Sequence, residues 1–279
     1  MNMLSVNLGP LAFQVSHLLV LAAMLVAAGV GHLVGRRSKT GIVTVLSDMT
    51  WAALLGARVV FVVTWSDLYL EKPWTILDIR DGGFTWWAGL VAAALVAIWR
   101  GWQLPVLRKP LLTGLTAGAM AWAVLAAASG VFTGTFTDAF TNALTPSRPA
   151  LMLNTLAGEP TDLAKVAGGK PMVLNLWASW CPPCRREMPV LAAAQKQEAN
   201  VTFVFANQGE PAETAQRYLS GGGLGLANVL LDARAELGPA VGSRGLPTTL
   251  FYDASGRLVD THVGELSAAS LASKLSRLR

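Results

Sequence analysis

Cysteine and histidine are scarce here: the 279 residues hold two of the first and three of the second. A structural zinc centre needs about four ligands. His17 and His32 lie in an apolar run far from Cys181 and Cys184, which leaves His262 as the one histidine in the same half as the cysteines. Ligand count therefore excludes a zinc site. Charge is scarce too: Asp, Glu, Lys and Arg make up 14% of the chain against 53% hydrophobic residues. The mean hydropathy of +0.45 is unusual for a wholly soluble protein. A net charge of +5 with no dense basic block gives no electrostatic footprint for a nucleic-acid partner.

The low charge is concentrated in one half. Residues 1–146 carry nine Lys/Arg and six Asp/Glu, while residues 147–279 carry thirteen and eleven. Four apolar stretches in the first half, at about 11–35, 42–65, 84–104 and 111–132, are long enough to cross a bilayer, which takes roughly 20 helical residues. The first is too long for a cleaved signal peptide and has no basic residue before it. Arg36, Arg37 and Lys39 separate the first two stretches; Arg100, Arg108 and Lys109 mark the junction of the last two. The positive-inside rule holds both clusters in the cytoplasm. The loop 66–83, with Asp67, Glu71, Asp78 and Asp81 against Lys72 and Arg80, then lies outside. So do the N-terminus and everything beyond the fourth crossing. Trp65, Trp74, Trp86 and Trp87 fall near the outer interface and Trp99 and Trp102 near the inner one, as an aromatic belt requires.

Residues 136–150 read as a linker, broken by Pro146 and Pro149. From residue 151 short apolar runs alternate with amphipathic segments, the pattern of an α/β domain. Met172–Ala178 suits a central strand covered on both faces. A helix is expected from just after Cys181 to about Ala199, a strand at Val201–Ala206, a helix at Ala212–Leu219 and a short strand at Asn228–Leu231. A hairpin of Pro247–Asp253 and Arg257–Val263 and a terminal helix at 267–278 complete the set.

Cys181-Pro-Pro-Cys184 stands at the strand-to-helix junction. Unpaired N–H groups and the dipole at a helix start favour a thiolate, and proline is tolerated in the first turn, where its missing N–H costs nothing. Cys181 is then the attacking thiol and Cys184 the buried resolving one. A static structural disulfide and a metal-binding scaffold are the remaining readings of the pair.

Trp177-Ala-Ser-Trp-Cys-Pro-Pro-Cys-Arg-Arg-Glu-Met-Pro189 resembles the active-site segment of the TlpA/ResA branch of thioredoxin-like proteins, and Val241-Gly-Ser-Arg-Gly-Leu-Pro247-Thr-Thr-Leu-Phe resembles that family's cis-proline loop. The resemblance implies a thioredoxin-like fold over 151–279 and substrate contact around Trp180, Pro182, Pro183, Leu246 and Pro247. It also implies a redox-active Cys181–Cys184 disulfide with no other cofactor. Asn175 stands where thioredoxins proper carry an acid. Glu187 matches a family glutamate linked to acid–base behaviour; its plainer reading is a solvated carboxylate paired with Arg186 or Lys196.

In the first half, Gly56-Ala-Arg58 and Gly82-Gly-Phe-Thr-Trp-Trp-Ala-Gly-Leu90 resemble part of bacterial prolipoprotein diacylglyceryl transferases. Those enzymes place a histidine where Trp87 stands, and indole has no basic nitrogen for acid–base work. Their later spans are also missing here. The resemblance therefore implies a shared membrane scaffold without transferase activity. Arg58, inside the second span, is a candidate for holding a lipid phosphate; its plainer reading is a structural partner for an acid such as Asp81.

Together these readings predict an α-helical membrane domain of about four crossings (1–135), a linker (136–150) and an extracytoplasmic α/β thioredoxin-like domain (151–279) in the cytoplasmic membrane. The expected activity is reduction or exchange of disulfides in exported proteins. With no cysteine in the membrane half, a separate membrane donor must supply electrons. The alternatives are a net oxidant or isomerase of the same fold, and a lipid-binding relative of the diacylglyceryl transferases with a thioredoxin-like appendage.

Overall fold

The computed structural model describes residues 5–8, 11–36, 41–70, 73–128 and 147–278. Arg37, Lys39, Glu71, Lys72 and positions 136–146 of the expected linker lie outside these. The chain divides into two units, Ser16–Phe132 and a second made of Met1–Val15 with Thr133–Arg279.

An antiparallel pair, β1 (Ser5–Leu8) and β2 (Leu11–Gln14), precedes the helices. The first apolar run therefore turns helical only at Val15, not at residue 11, because its start pairs as a strand with Ser5–Leu8. Helices α1 (Val15–Gly35), α2 (Ile42–Thr64), α3 (Ser66–Leu70), α4 (Trp86–Gln103) and α5 (Arg108–Ala128) follow. Among the described residues, three segments are long and apolar enough to cross a membrane: His17–Gly35, Ile42–Thr64 and Pro105–Ala128. α4, on the expected third span, is not among them. Its 18 residues include Arg100, Gln103 and four tryptophans, which dilute the apolar character that the other three keep.

The unit is apolar on the outside. Leu21, Leu25, Leu55, Val59, Val63, Leu90, Leu95, Leu112 and Val124 are all exposed, the distribution expected where hydrocarbon and not water is the solvent. Without a hydrophobic force between helices, close backbone approach has to supply the packing. A Cβ built on Gly118 of α5 would lie 2.8 Å from Ala27 Cβ and 2.9 Å from the Ala23 carbonyl of α1, and one on Gly56 of α2 would lie 2.8 Å from Ala92 Cβ of α4. Arg100 of α4 pairs with Asp48 of α2.

The second unit is built on a seven-stranded sheet of order β4-β3-β7-β6-β5-β8-β9. Its elements are β3 (Met152–Thr155), β4 (Pro160–Asp162), α6 (Leu163–Ala167), β5 (Met172–Trp177), α7 (Pro182–Gln197), β6 (Thr202–Gln208), α8 (Ala212–Gly222), β7 (Val229–Asp232), α9 (Leu237–Ala240), β8 (Thr248–Tyr252), β9 (Leu258–Val263) and α10 (Ala268–Leu275). β5, β6 and β7 run parallel, while β8 pairs antiparallel to β5. Every residue of β5 is buried, because both sheet faces are covered. Val173 and Trp177 pack with Met188, Leu191, Phe203 and Phe205 on one face; Met172, Leu174 and Leu176 pack with Val204, Ala206 and Leu250 on the other. The expected elements all form, with ends shifted by a few residues. The strands β3 and β4 and the short helices α6 and α9, too short for a periodicity to show, are additions.

The α1–α5 crossing makes a direct prediction. Gly118→Val should destabilise the helical unit by roughly 1–3 kcal/mol through overpacking, whereas Gly29→Ala, whose added Cβ meets nothing within 4 Å, should be neutral or stabilising. Thermal unfolding of the two variants in detergent checks this; equal midpoints would remove the close crossing as a stability determinant.

Candidate active site

Cys181 is the N-cap of α7, with extended backbone at φ −87° and ψ 106°. Pro182 and Pro183 occupy the first two helical positions and have no N–H, so the first donor the helix start offers is the Cys184 amide. An N-cap side chain reaches the second or third helical N–H, and here Cys184 N–H donates to Cys181 Sγ at 3.4 Å. The sequence thus removes competing donors and leaves one aimed at the sulfur. The two cysteines are joined as a disulfide with Cα atoms 5.3 Å apart. Both are buried, Cys184 completely, among Trp177, Met188 and their neighbours, while Trp180 in the preceding turn is 68% exposed. Pro182 is exposed and Pro183 half-buried.

The register Leu176↔Thr248 brings the residue before β8 level with the end of β5. That residue is Pro247, and the Leu246–Pro247 bond is cis. Leu246 packs against the cluster that contains both cysteines, and the Pro247 carbonyl accepts Gly264 N–H at 2.9 Å. Residues 66 positions apart in sequence are therefore assembled at the carboxyl end of the parallel strands, where open α/β sheets place their sites.

Glu187 is not solvated. It has no exposed surface: Asn175 Nδ2 donates to Oε1 at 2.8 Å and the Leu266 N–H to Oε2 at 3.0 Å. Arg186 turns away and pairs with Glu265 at 2.7 Å. Burial pushes the Glu187 carboxyl up from 4.5 to about 8, against the opposing effect of its two hydrogen bonds. Helical periodicity explains the difference: three residues beyond Cys184, Glu187 shares its inward face, and Asn175 with Thr249 behind it (3.0 Å) supplies a polar floor.

A second buried carboxylate escaped the sequence reading. Glu210, in the turn between β6 and α8, is 7% exposed. It accepts the Ser179 N–H at 2.7 Å, the Ser179 hydroxyl, and Asn207 Nδ2 at 2.6 Å. Its one sequence signal was an acid two residues beyond a strand's carboxyl end.

Arg58 is 8% exposed, and all its donor atoms are engaged. Nε and Nη2 donate to the Ile76 carbonyl, Nη2 also to the Thr75 and Asp78 carbonyls, and Nη1 to Asp81 Oδ1 and the Gly83 carbonyl, at 2.9–3.1 Å. Tyr69 donates to the other Asp81 oxygen at 2.9 Å. The guanidinium fastens the 75–83 segment to α2; a lipid phosphate would have to displace one of these acceptors.

A Cys-x-x-Cys disulfide at a helix N-cap, near a cis-proline on this sheet, defines a thioredoxin-fold thiol–disulfide oxidoreductase. Comparison with known proteins gives the branch. Residues 137–275 match the redoxin family and residues 3–135 the prolipoprotein diacylglyceryl transferase family. The chain is 34% identical over 118 residues to thiol-disulfide oxidoreductase ResA of Halalkalibacterium halodurans, covering 42% of this chain and 66% of that one. It is 33% identical over 129 residues to thioredoxin-like protein YneN of Bacillus subtilis (46% and 75%) and 32% over 110 residues to thiol:disulfide interchange protein DsbE of Vibrio cholerae (39% and 59%). The chain thus spans about two thirds of the length of these relatives. It belongs to the redoxin family through a C-terminal domain of the ResA and DsbE type; the part before it, residues 3–135, is similar to the diacylglyceryl transferase family.

The Glu187 environment predicts a pH dependence. Its folded value lies above the unfolded one, so the folded chain keeps a proton that the unfolded chain releases between pH 4.5 and about 8. This contribution is complete below pH 4.5 and is lost as pH rises towards 8, a decline on the order of a few kcal/mol. Glu187→Gln should flatten the pH profile of the thermal midpoint across that window. A variant that follows the wild-type slope would show that the carboxyl is ionised throughout.

Proposed function

We propose that this protein is a membrane-anchored oxidoreductase that reduces or exchanges disulfides of exported proteins on the outer face of the cytoplasmic membrane. The observation that carries the reading is the placement of Cys181 Sγ at the start of α7, in line with the Cys184 N–H. In the cycle, the Cys181 thiolate attacks one sulfur of a substrate disulfide, forming a mixed disulfide and expelling the other sulfur as a thiolate. Cys184 then attacks Cys181 Sγ, releases the second substrate thiolate and leaves the enzyme disulfide. Two electrons pass to the substrate, and two protons complete its thiols. Glu187, beside Cys184 on α7 and raised into the neutral range, is suited to exchange a proton with the buried resolving thiol. Trp180, Pro182, Pro183, Leu246 and Pro247 form the surface that receives the substrate chain.

Regeneration needs a two-electron donor. No cysteine lies between residues 1 and 146, so the donor is a separate membrane protein acting on the same dithiol. We assign the membrane domain to 1–135, the linker to 136–150 and the redox domain to 151–279. α4 is assigned as a fourth crossing. At 1.5 Å per residue it is about 27 Å long, close to the bilayer core, and its Gly89 lies against Ala53 and Ala57 of α2. The parity matters: four crossings return the redox domain to the side of the N-terminus, and three would not. Arg58 is assigned a structural role within the membrane domain.

Cys181→Ser should abolish insulin reduction by the full chain, while Cys184→Ser should accumulate mixed disulfides with exported proteins; full activity in Cys181→Ser would end this mechanism. Phosphatase reporters fused within 73–83 and after Arg279 should be active and one fused at 104–107 inactive. An inactive C-terminal fusion would leave three crossings.

A further inference from the structure

We propose that Glu210 is a positioning residue for Cys181: it holds the active-site turn in the shape that keeps the sulfur at the N-cap of α7 when the disulfide is open. The proposal rests on the reading of Cys181 as the nucleophile. The turn Ala178–Cys181 is closed by the Cys181 N–H donating to the Ala178 carbonyl at 3.2 Å. Inside it, Ser179 gives both its backbone N–H and its hydroxyl to the Glu210 carboxylate. Asn207, at the end of β6 and in register with Trp177, donates to the same carboxylate at 2.6 Å. Glu210 therefore ties the turn to the neighbouring strand through charge-assisted hydrogen bonds, the stronger kind, at a site where it is 7% exposed.

In the oxidised chain the disulfide itself fixes Cys181 relative to α7. Reduction removes that covalent tie, and the two prolines leave few backbone hydrogen bonds to replace it. The Glu210 clamp does not depend on the redox state of the sulfurs, so its influence on Cys181 is greatest in the reduced, nucleophilic form. Charge and geometry act in opposite directions here. Removing a nearby carboxylate by itself eases thiolate formation and lowers the thiol pKa; loosening the N-cap removes the helix-start donor and raises it.

That opposition makes the test decisive. The full chain in detergent is prepared as Cys184→Ser, and the pH dependence of Cys181 alkylation by iodoacetamide is measured with Glu210, Glu210→Ala and Glu210→Gln. Glu210→Ala should raise the Cys181 pKa by about one unit. In the chain with both cysteines it should slow insulin reduction at pH 7 about threefold, because the loss of thiolate is partly offset by greater nucleophilicity. Glu210→Gln keeps an acceptor for the Ser179 N–H and should restore the wild-type pKa or fall slightly below it. A downward shift or none in Glu210→Ala, or a Glu210→Gln that matches Glu210→Ala, overturns the proposal. If Glu210→Ala does not fold, Ser179→Ala, which removes only the hydroxyl contact, should shift the pKa upward by a smaller amount, and an unchanged value overturns the proposal. A wild-type chain without exchange activity would sink the functional reading instead. The positioning claim is then read from hydrogen exchange at the Ser179–Cys181 amides, which must speed up in reduced Glu210→Ala and stay slow in Glu210→Gln.

Discussion

A helix start exposes N–H groups that the helix cannot pair internally. In α7 two of these donors are deleted by Pro182 and Pro183, so what remains is concentrated on the Cys184 amide and points at Cys181 Sγ. The rest of the redox domain is organised around keeping that single donor and that single sulfur together. The fully buried strand β5 sets where the turn begins, β8 delivers the cis-proline beside it, and α7 carries Cys184 and Glu187 inward.

Two buried carboxylates flank this arrangement and differ in kind. Glu187 has two hydrogen-bond donors, no cation and no solvent, and it favours the neutral acid. Glu210 has three donors on its two oxygens, two of them from one residue of the active-site turn. The contrast is one of partners, since both residues are buried.

The membrane unit solves a different problem. Its outer surface is apolar, so burial of apolar area cannot hold its helices together, and small residues with a few polar ties take over. Gly118 against α1, Gly56 against α2's neighbour α4, and the Arg58–Asp81–Tyr69 network are those ties. The network places a buried charge only where a carboxylate and four backbone carbonyls receive it, the condition under which such a charge is tolerated.

Local chemistry was legible in the amino-acid order alone. The Cys-Pro-Pro-Cys junction, the strand–helix alternation after residue 151, the apolar spans and the cis-proline segment each rest on interactions between residues close in the chain, or on a motif that is contiguous. What the order left open rests on contacts between distant segments. For Glu187 the order left both an acid–base candidate and a solvated carboxylate open, and only Leu266, 79 residues later, and Asn175 enclosed it. Glu210 carried no motif, because its role exists only once β6 lies beside β5. The saturation of Arg58 needed the 75–83 segment to fold back over α2, and the weaker standing of α4 came from the indoles and Arg100 that its length alone concealed. Sequence determines which groups can be reactive; the packing of remote strands and helices decides which are dry, which are paired and therefore what each does.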